Sequence, residues 1–329
     1  MYMDRLATTV GLFPLPDGQR ERLAELKGHQ KSDLIDGNEA RATRDAYAAT
    51  RRHYIDRQRE AGLDRLVEGQ GRWDDLLAHP LCVHENVRTG GIVRYYDNNN
   101  FYREPIVTDE LTPSGDVPSE LSAAAERCDD LGAVLPGPYS LAGLARDEHY
   151  GSSAAFLDGV AEFLAGEVAA FPDAVETLTL LEPGFATEPP DAEASERIGD
   201  AIDTVAAATD ADVLVHTYWG APDDGLYRRL LDTDTDGLGY DLVTDPEAAT
   251  TLAAEHGTPP RVLLGVVDGQ NTRVESRQTI NDRADRFAKC ATTDVDAAYL
   301  TPNTGLFHLP VGKFEAKLDA LAAATEGAR

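Results

Sequence analysis

Hydrophobic and polar positions divide this chain into two unlike parts. From about residue 130 onward, short continuous apolar runs alternate with longer amphipathic ones. The apolar runs predict strands at Gly132–Leu135, Val175–Leu181, Asp212–Thr217, Gly239–Val243, Arg261–Val267 and Ala297–Leu300. Helical periodicity fills the gaps, over Ser152–Phe171, Ala192–Ala208, Leu226–Leu231, Pro246–Glu255, Glu275–Lys289 and Lys313–Thr325. Strands that are apolar throughout, rather than at every second residue, belong in a parallel sheet covered on both faces.

The earlier part is less regular. Ala7–Phe13 is apolar and β-branched, and Pro14 and Pro16 stop it, so a strand is predicted there. Residues 38–66 are rich in Ala, Arg, Glu and Leu with few breakers, which predicts a long surface helix. Trp73–Leu77 is a short element, and Ile92–Tyr96 is a further strand leading into YYDNNNFYREP. Eight strands alternating with helices predict a (β/α)8 barrel of the TIM type. On this reading residues 1–329 are one domain, and 15–90 is a long helical insertion after the first strand. A doubly wound open sheet is the competing fold. It is disfavoured because no glycine-rich phosphate loop follows the first strand.

A parallel barrel keeps its chemistry at the C-terminal ends of its strands. The polar residues predicted there are Asp97 and Asn99, Glu182 before Pro183, His216, Asp241, Asp268 and Asn271 in DGQN, and Asn303, with His308 just beyond. Each has a plainer role open to it. Glu182 can cap a loop, His216 can be a satisfied core histidine, Asp-Gly is ordinary turn chemistry, and 96–102 can be an exposed hydrogen-bonded loop. The argument for a site is that so many polar strand ends share one rim. No Ser-His-Asp arrangement, phosphate loop or HExxH motif is present.

Composition narrows the partners. With 58 acids against 30 bases the formal charge is -28, which leaves no basic footprint for duplex nucleic acid or an anionic membrane. Only five of the bases are lysines, and the acids are spread along the whole chain. That pattern suits a high-salt cytosol, as in a halophilic archaeon, where salt screens self-repulsion. Cys82, Cys128 and Cys290 are odd in number and far apart, which speaks against a disulfide framework and for a reducing cytoplasm. The N-terminus lacks the pattern of a signal peptide, and no apolar run is long enough to span a bilayer.

Several stretches carry a family resemblance: TTVGLFP, WDDLL, RYYDNNNFYREP, GPYSL, LLEP, VHTYWG, GLGYDLVTDPE, GVVDGQN and TPNTGLFHLPV. In this order they resemble the cobalamin-independent methionine synthases. The resemblance implies two homologous barrels, and methyl transfer from a methyl-tetrahydrofolate polyglutamate to homocysteine. It also implies a zinc ion that activates the thiol. Its family ligands are a His-x-Cys pair, a Glu, and a Cys in a Pro-Asp-Cys-Gly-Leu motif. Here His216 remains, but Tyr218 replaces the first Cys and Thr304 the second, and Asp241 stands in the Glu region. Tyrosine and threonine are not thiolates, so no complete zinc site is expected on this chain.

The departures make the chain similar to the family's zinc-free N-terminal barrel, standing as a separate polypeptide. The resemblance then implies a second chain that carries zinc. Lys27 and Lys31, with Arg94 and Arg103, would face the folate's carboxylate tail, while Glu182, His216, Asp268, Asn271 and Asn303 would line the mouth. Two alternatives stay open. One is a stand-alone methyltransferase of the superfamily with another methyl donor, and the other is a non-catalytic one-carbon-ligand module that binds or regulates.

The charge generates a first prediction. Repulsion among carboxylates weakens with screening, so the melting temperature rises steeply from low to molar KCl. A flat response in differential scanning calorimetry would detach the acid excess from salt adaptation.

Overall fold

The computed structural model describes residues 3–23, 35, 37–94 and 101–326. An eight-stranded parallel sheet forms the barrel. Its strands are β1 (Asp4–Ala7), β2 (Leu66–Val67), β5 (Leu131–Pro136), β7 (Val175–Leu181), β8 (Asp212–His216), β9 (Gly237–Asp241), β10 (Arg261–Val267) and β11 (Ala297–Pro302). The order around the sheet is β1-β11-β10-β9-β8-β7-β5-β2. The strands from β5 onward are buried almost throughout, as continuous apolar runs require.

Helices cover the outside. Among the described residues, those of seven residues or more are α1 (Asp17–Leu23), α2 (Arg41–Ala61), α3 (Asp116–Ala125), α4 (Pro138–Leu144), α5 (Ser153–Val168), α6 (Ala192–Ala206), α7 (Asp224–Leu231), α8 (Pro246–His256), α9 (Arg277–Cys290) and α10 (Val311–Thr325). Five of their starts follow side-chain capping chemistry. The side chains of Ser152, Asp191, Asp223, Asp245 and Ser276 each accept the backbone N–H three residues on. None of the helices among the described residues is long and apolar enough to cross a membrane.

A second sheet, β3 (Val87–Arg94), β4 (Phe101–Val107) and β6 (Arg146–Asp147), lies outside the barrel. The chain enters it between β2 and α3 and again between β5 and α5. Both excursions leave from C-terminal strand ends, so this sheet belongs to the mouth side of the barrel.

The strand count holds, but three details are corrected. The strand beginning at Ile92 belongs to the outer hairpin, and the second barrel strand is Leu66–Val67. That strand was invisible as a pattern because two residues have no period. It also falls inside 15–90, so that stretch is not wholly insertion. The first strand is Asp4–Ala7 rather than Ala7–Phe13. Beyond Ala7 the chain leaves the ladder, and Leu12 takes a left-handed φ of 46°.

The β1–β2 seam is closed by isolated bonds rather than a ladder. Asp64 N and Arg65 N donate to Ala7 O at 2.9 and 3.2 Å, and Phe13 N donates to Gly69 O at 3.2 Å. Here Gly69 has φ 90°, and a Cβ on it would lie 2.3 Å from Tyr54 Cδ2 and 2.8 Å from Phe13 Cδ2. Tyr54 and Phe13 are buried and meet edge to face at 5.2 Å. Gly69→Ala therefore combines backbone strain with overpacking and lowers the unfolding free energy by about 2–4 kcal/mol. Denaturant titration measures this, and an unchanged midpoint would contradict the packing described.

Candidate functional site

Three strand ends converge on Asn303, just beyond β11. Its Nδ2 donates to Asp241 Oδ1 and Oδ2 at 3.2 and 3.1 Å, and its Oδ1 accepts Gly269 N at 3.0 Å. Its backbone O accepts His216 Nε2 at 2.8 Å, and its N donates to Val267 O at 2.8 Å. One side chain and its peptide groups thus tie β8, β9, the loop after β10, and β11. Gly265 allows this closeness, since a Cβ there would lie 2.8 Å from Asn303 Cα.

His216 is fully buried. A carbonyl only accepts, so the Nε2–Asn303 bond puts the proton on Nε2. Nδ1 has no partner and lies against Gly239, where a Cβ would sit 2.3 Å from it. Burial pushes the imidazole below its ordinary pKa and keeps it neutral, while the bond to Asn303 and the nearby Asp241 carboxylate oppose this. Asp241 is equally enclosed. Its Oδ1 also accepts Val243 N and Thr244 N at 2.9 and 2.8 Å, and its Oδ2 accepts Trp219 N at 2.9 Å.

Glu182 follows β7 and is also fully buried. Its N donates to His216 O at 2.8 Å, which links it to the cluster. Its carboxylate accepts Tyr139 N at 3.0 Å and Ser140 N at 2.8 Å, at the start of α4. Gly137 makes room for it, because a Cβ there would lie 2.2 Å from Glu182 Oε1. Desolvation raises its pKa to about 7, against the lowering effect of the bonds to Ser140 and Tyr139.

The other predicted residues separate. Asp268 Oδ1 accepts Gln270 N, and Asn271 Oδ1 accepts Arg273 N, both at 2.9 Å. Both side chains therefore shape their own loop, and Asn271 is exposed. His308 is exposed beside Phe307. Lys27, Lys31, Asp97 and Asn99 lie outside the described residues.

Two groups of polar residues escaped the sequence reading. Lys317 of α10 is fully buried, and its Nζ donates to Arg273 O at 2.6 Å and Glu275 Oε2 at 2.8 Å. This pins the loop that holds Asp268 and Asn271 to α10. Near the end of β2, Arg72 grips both oxygens of Glu39 at 2.6 and 2.8 Å and pairs with Glu120 at 2.9 Å. Arg51 pairs with the same Glu120, and buried Glu68 has its pKa raised to about 8, by desolvation first and by Glu120 next. The one sequence signal was EGQGR, whose glycines mark a tight turn.

The zinc implied by the family resemblance does not fit these residues. Nε2 of His216 is bonded to Asn303, and Nδ1 is pressed against β9. Both oxygens of Asp241 are filled by N–H donors. Tyr218 and Thr304 are buried and supply no thiolate, and the Thr304 hydroxyl donates to Gly305 O at 3.3 Å.

Residues 6–327 match a family model described as the catalytic domain of cobalamin-independent synthase. A 5-methyltetrahydropteroyltriglutamate–homocysteine methyltransferase of Salinibacter ruber is 29% identical over 356 residues. That match takes in 93% of this chain but only 44% of the relative, so the chain spans less than half its length. A methionine synthase of Saccharolobus solfataricus is 23% identical, covering 84% of this chain and 81% of its own. Among solved structures, a B12-independent methionine synthase from Shewanella superposes with a TM-score of 0.75 at 17% identity, over 99% of this chain and 97% of that one. The matched model is described as the catalytic domain's, and in this chain positions 218 and 304 are Tyr and Thr.

Glu182 generates a pH prediction. A carboxylate whose folded pKa lies above its ordinary value of 4.5 binds its proton more tightly in the fold. Its contribution therefore falls as pH rises from 4.5 towards about 7 and is constant above, a loss of about 3 kcal/mol. Thermal melts at pH 5 and pH 8 in molar KCl should show a smaller difference for Glu182→Gln than for the wild type. An identical difference would refute the assignment.

Proposed function

This chain belongs to the cobalamin-independent methionine synthase family, and from that premise we propose that it serves methionine formation as a zinc-free barrel. On this reading the methyl group passes from a methyl-tetrahydrofolate polyglutamate to homocysteine. The thiol is activated on a second, zinc-bearing chain. The observation that carries the reading is the enclosed His216–Asp241–Asn303 cluster. It keeps two polar residues of the family's metal region and commits both to hydrogen bonds, while Tyr218 and Thr304 stand at the thiolate positions.

Zinc, when bound to a thiol, lowers its pKa so that a thiolate attacks at neutral pH. This chain's share is different. Its barrel holds the rim rigid, and its basic residues face the donor. Lys27 and Lys31, with Arg94 and Arg103 that flank the aromatic loop in sequence, are proposed for the folate's carboxylate tail. The chain matches less than half of the Salinibacter ruber protein, so more than half of that relative's length has no counterpart in the match.

A second reading is favoured by the Saccharolobus solfataricus protein, which bears the name methionine synthase and matches over 81% of its own length. On that reading a chain of this size acts alone, with another thiol activator or methyl donor.

Reconstitution decides between them. Methyl transfer to homocysteine is measured for this chain, for a zinc-bearing family chain from the same genome, and for the mixture, with zinc content by elemental analysis. The mixture is expected to exceed either alone by at least about tenfold, equivalent to roughly 1.4 kcal/mol of barrier. This chain should carry far less than stoichiometric zinc. Turnover by this chain alone at the rate of the mixture would replace the first reading with the second.

A further inference from the structure

Around the end of β2, between α2 and α3, lies a group of five charged side chains, and three of them are acids. Arg51 comes from α2, Glu120 from α3, and Glu39 precedes α2. Glu68 and Arg72 flank the turn through Gly69 and Gly71. Each of the five side chains is 14% exposed or less, so little water screens the charges. Both guanidiniums are already committed. Arg72 grips both oxygens of Glu39 at 2.6 and 2.8 Å, and its Nε lies 2.9 Å from Glu120 Oε1. Arg51 bonds Glu120 Oε2. Glu68 is the carboxyl left over. Its Oε1 accepts Gln70 N at 2.8 Å, while its Oε2 stops 4.0 Å from Arg51 Nε, a buried donor with no hydrogen-bond partner.

We propose that this group is a proton-operated switch. Near neutral pH it holds one proton on Glu68. Releasing that proton to solvent draws Arg51 onto Glu68 and shifts the turn that carries Gln70. Charge balance supports this. Three carboxylates against two guanidiniums leave one negative charge in excess, and a buried carboxyl without a cation of its own keeps its proton. Desolvation first, and Glu120 next, holds the Glu68 carboxyl up at about 8, against Arg51 and the Gln70 N–H. The other groups around it are Asp116 of α3, which adds repulsion and is bonded to His79 at 3.2 Å, and Tyr54 of α2, which burial keeps neutral. Tyr47, also of α2, lies against the Arg72 guanidinium at 4.4 Å, and β5 presents uncharged Gly132 and Val134. When the proton leaves, Arg51 Nε–H and Glu68 Oε2 become a charged donor–acceptor pair, and closing their gap to a normal length takes about 1 Å. That move loosens the bond from Arg51 to Glu120. On its other side Glu68 is one hydrogen bond from Gln70, whose backbone is held at φ 51° and whose side chain joins Leu12 to Val134. Proton loss at Glu68 therefore reaches the β1–β2 seam, where the barrel has least ladder. The inference does not depend on the split-enzyme reading.

The test uses the full chain in molar KCl. Infrared spectra between about pH 6 and about pH 9 follow protonated carboxyls through their C=O stretch. The wild type is expected to lose one near 7, from Glu182, and a second near 8, from Glu68. Glu68→Gln keeps the size and the acceptor for Gln70 N, and should lack the second loss, whereas Glu182→Gln should retain it. Glu120→Gln leaves two carboxylates against two guanidiniums, so the second midpoint should fall by at least about one pH unit, or about tenfold in proton affinity. Movement of the turn is read from Trp73, whose N donates to Gln70 O at 3.0 Å and whose side chain lines one small cavity with Glu68 and Glu120. In a Trp219→Phe background its fluorescence should change across the second midpoint, and adding Glu68→Gln should abolish the change. Trp73 also stacks on His79 at 4.8 Å, so His79→Gln is the control and should leave that midpoint in place. No carboxyl proton lost near 8 in the wild type, or the same loss in a folded Glu68→Gln, would overturn the proposal. A Trp73 change that follows His79 rather than Glu68 would overturn it too. So would a proton loss that leaves Trp73 unmoved, because Glu68 is then a buried acid and no switch. Should Glu68→Gln fail to fold, the Glu120→Gln midpoint decides, and an unmoved one sinks the idea.

Discussion

The Asn303 side chain is the interaction on which the rim depends. Parallel strands stop at the barrel mouth with backbone groups that the ladder no longer satisfies, and buried groups of that kind cost about 1–3 kcal/mol each when left unpaired. Asn303 reaches Asp241, Gly269, His216 and Val267 through its side chain, O and N. Asp241 then satisfies Trp219, Val243 and Thr244. The two residues act as one device. Asp241 needs several donors because a buried carboxylate without them is costly, and Asn303 is the donor that comes from across the barrel.

The barrel is asymmetric as a result. From β7 to β11 the strands are apolar and the ends are locked by this network. From β1 to β2 the ladder is almost absent, and side chains replace it. Gln70 takes Leu12 N at 2.5 Å and gives Nε2 to Val134 O at 3.0 Å, so it bridges the segment after β1 to β5. Among the described residues, Leu12, Gln70 and Trp219 are the non-glycine residues held at positive φ, and all three lie in the segments that follow barrel strands. The strain is concentrated at the mouth, where the surrounding bonds can sustain it.

These features give the family position of the chain a physical meaning. In a zinc site the ligand atoms must stay free of hydrogens and point at one vacant centre. Here the corresponding atoms are filled by N–H donors or pressed against a neighbouring strand. A metal-binding arrangement and a hydrogen-bonded latch are alternatives for the same strand ends, and this chain has the latch. The same replacement leaves the fold intact, because the barrel is held by strand burial and not by the metal region.

The sequence by itself determined what repeats. The continuous apolar runs dictated parallel strands buried on both faces, and their alternation with amphipathic stretches dictated the barrel. Ser152 marked a helix start in the sequence, and the motifs around His216 and Asn303 carried the family. What it left undetermined has no local signature. The two-residue strand Leu66–Val67 has no period, so only pairing with Leu131 and Gly132 makes it a strand. The run at Ile92 reads as a barrel strand until its antiparallel partner at Phe101–Arg103 takes it outside. Polar residues at strand ends look alike in sequence, but Asp268 and Asn271 fold back on their own loop while His216, Asp241 and Asn303 meet across three strands. Buried Lys317 and the Arg72–Glu39–Glu120 group are ordinary surface charges by composition. Only tertiary packing removes their water and pairs them, because the partners lie tens of residues apart along the chain.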